Sequence, residues 1–334
     1  MIWVAVDAMG GDDAPGRVVD GALAAARHFD LGVTLVGSTA VLERELARHA
    51  DVDLSRTRIV EAPEAIAMEE APAAALRRKP GSSIKVAAEV VARGEAAALF
   101  SAGHTGATVM AAHGAFGMLP GVDRPALAIT IPTRGRPAVL LDVGASMECR
   151  PSHLLQFAVM GSRYARVALG IDAPRVGLLS VGEEATKGNE LTREAHRLLK
   201  SSPVSFIGNV EARDVYSGRA DVIVCDGFTG NVALKISEGF AELIEAELSS
   251  TFTARVGSLL ARRVLRQFHH RVDYSEYGGA PLLGVSGVAI VGHGRSSAKA
   301  VRNGVAMAYR FAAERVIERV EQDIAAASAG SRTA

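Results

Sequence analysis

Cysteine is scarce in this chain, with only Cys149 and Cys225 among 334 residues. Two cysteines build no disulfide framework, and neither stands in a C-x-x-C pair, so a reduced compartment is expected. Aromatic residues are 5% of the chain while apolar residues reach 49%, so the core must be made of Ala, Val, Leu and Ile. An excess of either charge is missing too. Lys and Arg total 37 and Asp and Glu total 37, which leaves no global field to gather nucleic acid. No apolar run approaches the roughly 18 residues of a membrane span. The segment Met1–Asp7 has no basic region and reaches an acid early, unlike a signal peptide. A cytoplasmic protein without a nucleic-acid partner is the expectation, and any attraction for anions must arise locally.

What is present is a regular alternation. Short β-branched runs at Ile2–Val6, Val33–Val36, Ala97–Phe100, Ala126–Ile131, Ala138–Asp142, Val176–Val181, Val222–Cys225 and Val288–Val291 read as strands. Ala-rich helical patterns occupy Gly16–His28, Ala40–His49, Ser83–Arg93, Ser152–Leu169 and Glu190–Leu199. Apolar strands joined by crossover helices predict an α/β protein with a mainly parallel sheet. The expected organisation is one catalytic domain over residues 1–325, with residues 326–334 left without structure.

Small polar residues collect after the strands, in Asp7–Asp12, Ser101–Gly106, Asp142–Ser146, Gly182–Gly188 and Asp226–Asn231. The carboxyl ends of parallel strands are where ligands bind, so these loops are expected to border one crevice. Two of them, Ser101–Gly106 and Thr229–Asn231, also open helices, whose free N–H groups suit phosphate. Candidate substrate contacts are therefore Asp7, Gly10, Gly11, Asp12, Ser101, Gly103, His104, Thr105, Gly106, Asp142, Glu184, Asp226, Thr229, Gly230 and, after the last strand, His293.

Familiar cofactor signatures are absent. Gly10-Gly11 does not supply the G-x-G-x-x-G of a dinucleotide site, and Lys187 precedes rather than follows the last glycine that a Walker A loop requires. The nine histidines are scattered and form no H-E-x-x-H. Asp7, Asp12, Asp142 and Asp226 admit a Mg²⁺ reading, but carboxylates in such loops more often pin amides. Cys225 ends an apolar strand, which suits a buried small residue better than a thiolate, and no G-x-S-x-G elbow exists. No metal and no organic cofactor is expected.

These loops, taken together, resemble the bacterial phosphate acyltransferase family of phospholipid synthesis. The matching stretches are Val6–Asp12, Ser101–Ala107, Leu141–Ala145, Val181–Gly188, Gly208–Asp214, Val224–Lys235, Asp273–Ala280 and His293-Gly294, in family order over nearly the whole chain. Asp226–Lys235 and Tyr274–Ala280 are the most specific. His104 and Ser146 stand where the family usually has Asn, Ala212 where it has Gly, and Arg295 and Ser297 where it has Ser and Asn. The resemblance implies a three-layer Rossmann-like fold akin to phosphotransacetylases and the isocitrate dehydrogenase group. It implies a homodimer, and transfer of a fatty acyl group from acyl carrier protein to inorganic phosphate. The acyl phosphate formed would feed a glycerol-phosphate acyltransferase.

Phosphate is already an anionic nucleophile, so that reaction needs positioning and an oxyanion donor more than acid–base help. Lys187 is the expected group for holding phosphate and Asn231 for bonding phosphate or the oxyanion, with Asp226 orienting Lys187 or loop amides. A basic amphipathic arm follows over about 237–272, with Arg255, Arg262, Arg263, Arg266 and Arg271 beside an apolar stripe. It reads as a dimer-packing helix, as a tip of about 252–272 on anionic lipid at the inner face of the cell membrane, or as a dock for acidic carrier protein. Competing readings are a short-chain phosphotransacetylase using acyl-CoA, an isocitrate-dehydrogenase-like oxidoreductase, and a non-catalytic membrane scaffold.

Overall fold

A computed structural model describes residues 1–50, 52–250 and 278–330. The arm's Arg-bearing stretch lies outside the described residues. The chain forms two compact units, residues 1–127 with 278–330, and residues 128–250.

In the first unit, the strands β1 (Ile2–Asp7), β2 (Leu31–Gly37), β3 (Thr57–Glu61) and β4 (Ala98–Ser101) are joined late in the chain by β10 (Ala280–Leu283) and β11 (Val288–Val291). Their order is β3-β2-β1-β4-β11-β10, and every pairing among the first five is parallel. Only β10 runs antiparallel, against β11 and against Ala126 and Leu127 at the start of β5 (Ala126–Ile131). The second unit takes the rest of β5, antiparallel to β6 (Ala138–Leu141), and then the parallel order β6-β9-β7-β8. Here β7 is Arg175–Leu179, β8 is Ser205–Val210 and β9 is Val222–Val224. Each unit is thus a mostly parallel α/β sheet with flanking helices, as the alternating pattern predicts.

The core follows from composition. All seven residues of β2 and all of β4 are buried, because crossover helices cover strands that lie inside a parallel sheet. Helix α1 (Gly16–His28) buries Val18, Val19, Ala22, Leu23, Ala25 and Ala26 on one stripe. In the second unit α6 (Pro151–Leu169) buries Leu154, Phe157, Met160 and Tyr164, each removal from water stabilising by about 1.5–3 kcal/mol. Proline opens α6 at its first position and Gly170, in the left-handed region at φ 64°, ends it.

Further helices are α2 (Thr39–Leu46), α3 (Pro72–Arg78), α4 (Ser83–Ala92), α5 (Thr105–Phe116), α7 (Glu190–Lys200) and α8 (Gly227–Ser250). The chain closes with α9 (Ala298–Ala313) and α10 (Val316–Gly330). The last five residues of α10 fall in the segment that the sequence leaves without structure. Three strands carry no clear sequence signal. Two of them, β3 and β8, are edges of their units' sheets, half-exposed and interrupted by polar residues. The third, β10, holds Pro281, which breaks the usual strand signature.

Candidate active site

The five polar loops divide between the units, and in each they meet on neighbouring parallel strands. In the first unit the carboxyl ends of β1, β4 and β11 lie side by side, with Asp7 and Val291 both in register with Ser101. Asp7 is 2% exposed and Ser101 fully buried. The Ser101 hydroxyl donates to Asp7 Oδ2 at 2.7 Å and itself accepts from the Gly103 amide at 3.1 Å. Burial pushes the Asp7 carboxyl above its ordinary value of 3.8, against the opposing pull of the Ser83 and Ser101 hydroxyls. Its other oxygen, Oδ1, is buried with no hydrogen-bond partner.

Gly10 and Gly103 bring two loop backbones together, since a Cβ on Gly10 would stand 2.4 Å from Asp7 Oδ2 and 2.9 Å from the Gly103 amide nitrogen. The Asp12 amide then donates to the Gly294 carbonyl at 2.9 Å, tying the first loop to the one that follows β11. Gly11, between them, has φ +115°. His104 caps α5 with extended backbone and keeps a buried Nδ1 without a partner. Thr105 and Gly106 form the first turn of that helix, half-buried. His293 Nδ1 accepts from the Arg295 amide at 3.2 Å, and the His293 amide donates to Ser296 Oγ at 3.2 Å, so this histidine shapes its own loop.

In the second unit β6, β9 and β7 are adjacent, and their carboxyl ends carry the other three loops. Asp142 is fully buried after β6. Its Oδ1 accepts from the amides of Gly144 at 3.1 Å and Ala145 at 3.0 Å, and its Oδ2 from Ser146 at 2.6 Å. Asp226 caps α8, accepting from the Thr229 amide at 2.9 Å and the Thr229 hydroxyl at 2.7 Å. Both carboxylates pin loop amides, and the bonds of Asp226 go to Thr229 rather than to Lys187. Among the described residues, no group of three or more His, Cys, Asp or Glu side chains is placed to hold a metal.

The first turn of α8 sits directly on the Asp142 loop. A Cβ on Gly230 would fall 1.9 Å from the Asp142 carbonyl oxygen, so only glycine fits. Asn231 donates from Nδ2 to the Val143 carbonyl at 3.1 Å and lies against Gly144, whose φ of +137° also demands glycine. Cys225 is buried beneath this contact. Its thiol is pushed well above the ordinary range by burial, and then by the Asp142 and Asp226 charges, which disfavours the thiolate form.

After β7, the loop from Gly182 to Gly188 is mostly exposed, and Lys187 stands on it in solvent. Glu184 contributes its backbone, its carbonyl accepting from the Lys187 amide at 3.0 Å. A second anchor joins Glu183 to Arg219 at 2.7 Å. Asn209, absent from the sequence-based candidates, reaches this loop from β8 and is 2% exposed. Its sequence signal is its place in the stretch Gly208–Asp214 that resembles the family, where nothing marks it as a loop ligand.

Gly-rich polar loops at the carboxyl ends of mostly parallel strands place the chain among α/β proteins of the type that bind ligands at strand ends. The solved phosphotransacetylase from Streptococcus pyogenes shares this fold, with a TM-score of 0.65 over 94% of each chain at 17% identity. The family described as Fatty acid synthesis protein matches residues 2–319. A relative from Acidobacterium capsulatum named Phosphate acyltransferase is 52% identical over 97% of each chain. Another of that name, from Geobacter sp. (strain M21), is 49% identical over 96% of this chain and 92% of its own. The chain belongs to the phosphate acyltransferase family, and is an acyltransferase of fatty acid and phospholipid synthesis.

Proposed function

We propose that the enzyme takes the fatty acyl group from the thioester of acyl carrier protein and transfers it to inorganic phosphate, releasing acyl phosphate and the free carrier thiol. The observation that carries this reading is the second-unit cluster, where Lys187 and Asn231 follow adjacent strands β7 and β9. Lys187 offers a solvent-facing cation to the incoming phosphate dianion. Asn231 uses one N–H on Val143, and its second N–H serves phosphate or the developing oxyanion. The attacking phosphate oxygen bonds the thioester carbon, and the C–S bond breaks to leave a thiolate, a leaving group that needs no strong acid. In the first unit, the amides of Thr105 and Gly106 at the start of α5 supply a further anion-suited surface.

A protein partner is supported by α8. Phe228, Val232, Ile236, Phe240 and Leu243 are each more than 40% exposed and recur at spacings of four and three along one helical face. That face suits the homodimer in the family resemblance. Contact with anionic membrane through about 252–272 belongs to the same reading, on residues outside those described. No described helix is long and apolar enough to cross a membrane.

Purified protein incubated with acyl carrier protein thioester, with and without phosphate, tests the activity. Phosphate-dependent release of free thiol with a hydroxylamine-trappable product is expected. Release from short acyl-CoA alone would favour the phosphotransacetylase alternative, and no release from either would favour a scaffold.

A further inference from the structure

Lys187 stands on an exposed loop, yet a buried side chain fixes the turn that carries it. Asn209 Nδ2 donates to the Glu184 carbonyl at 2.9 Å, and the same carbonyl accepts the Lys187 amide at 3.0 Å. The other end of Asn209 is held as well, with its Oδ1 2.9 Å from His196 Nδ1. Since Nδ2 must face the carbonyl, Oδ1 is the acceptor and His196 Nδ1 carries the proton. The His196 ring is set edge-on against Phe206, with centroids 5.1 Å apart. A chain of bonds therefore runs from α7 through β8 to the turn bearing Lys187. A buried amide with both ends satisfied holds one orientation, whereas an exposed loop left alone samples many.

We propose that Asn209 is a positioning residue for phosphate, acting through the Glu184 carbonyl to hold the Lys187 turn, with His196 fixing the Asn209 amide. It touches neither substrate. The inference rests on the reading of Lys187 as the phosphate-holding group, and it gives a role to Asn209, within the matching stretch Gly208–Asp214, and to His196 outside every such stretch.

The test is steady-state kinetics of N209A, K187A and the double variant, using acyl carrier protein thioester and inorganic phosphate. N209A is expected to raise KM for phosphate about fivefold or more while KM for the thioester stays within about twofold. The double variant is expected to be no worse than K187A, because both changes remove one function. A wild-type phosphate KM in folded N209A, or losses that multiply in the double variant, would overturn the proposal. If N209A does not fold, H196A removes the far bond together with the ring's contact to Phe206. It should raise phosphate KM, and H196Q, which again offers an N–H, should restore it. An unchanged H196A would then count against the proposal. Hydrogen exchange at the amides of residues 184–188 reads the same device without activity. Faster exchange there in N209A or H196A is expected, and unchanged exchange sinks the inference. A wild type that releases no thiol on adding phosphate sinks the functional reading instead.

Discussion

Ser101 Oγ donates to Asp7 Oδ2 at 2.7 Å across 94 residues of sequence, binding the ends of two neighbouring parallel strands inside the first unit. The bond holds a carboxyl that burial drives upward in pKa. A carboxyl raised in the folded state gives its full stabilisation below the ordinary value of 3.8 and loses it as pH rises through the folded value. Relative to D7N, which has no charge to bury, the wild type should therefore lose Tm as pH is raised above 3.8. Thermal melts at several pH values check this. A Tm difference that does not move with pH would show that Asp7 titrates alike in both states.

Lys187 is exposed, and among the described residues its bond to the fold is that of its backbone amide to the Glu184 carbonyl. K187A should cost at least about tenfold in turnover, with an unchanged far-UV spectrum and Tm. Rates near wild type at saturating phosphate would remove Lys187 from the reaction.

Gly144 and Asn231 press together, since a Cβ on Gly144 would stand 2.9 Å from Asn231 Nδ2 at a φ of +137°. G144A should displace the Asn231 amide and strain the loop, lowering stability by about 1–3 kcal/mol. Activity should fall as in N231A. If G144A loses stability but keeps full turnover, Asn231 has no place in the chemistry.

Asp226 caps α8 with two bonds to Thr229. D226A should lower stability by about 1 kcal/mol, and D226S should recover part of it. Denaturant midpoints measure both. Equal losses in the two variants would mean that the carboxylate acts outside the cap.

Much of this was readable from residues in order. The inner strands β1, β2, β4, β6, β7, β9 and β11 announce themselves because burial on both faces demands unbroken apolar runs. Edge strands β3 and β8 do not, because one side meets solvent and tolerates Arg58 or Ser205. Asp142 and Asp226 were legible as candidates, but not their work, because which amides a carboxylate pins depends on how its own turn closes. Asn209 stayed hidden because its partners lie 13 and 25 residues away in sequence.

The sequence by itself determined the parallel α/β class, the polar loops at the strand ends, and membership in the phosphate acyltransferase family. All three rest on patterns carried by consecutive residues: side-chain period, small residues at strand ends, and motif order. Only the tertiary structure decided that Asp7 is buried against Ser101, that Asn231 seats on the Asp142 loop, and that Asn209 holds the turn of Lys187. Those relations join residues brought together by strand order, and strand order arises from packing of the whole sheet rather than from any local run.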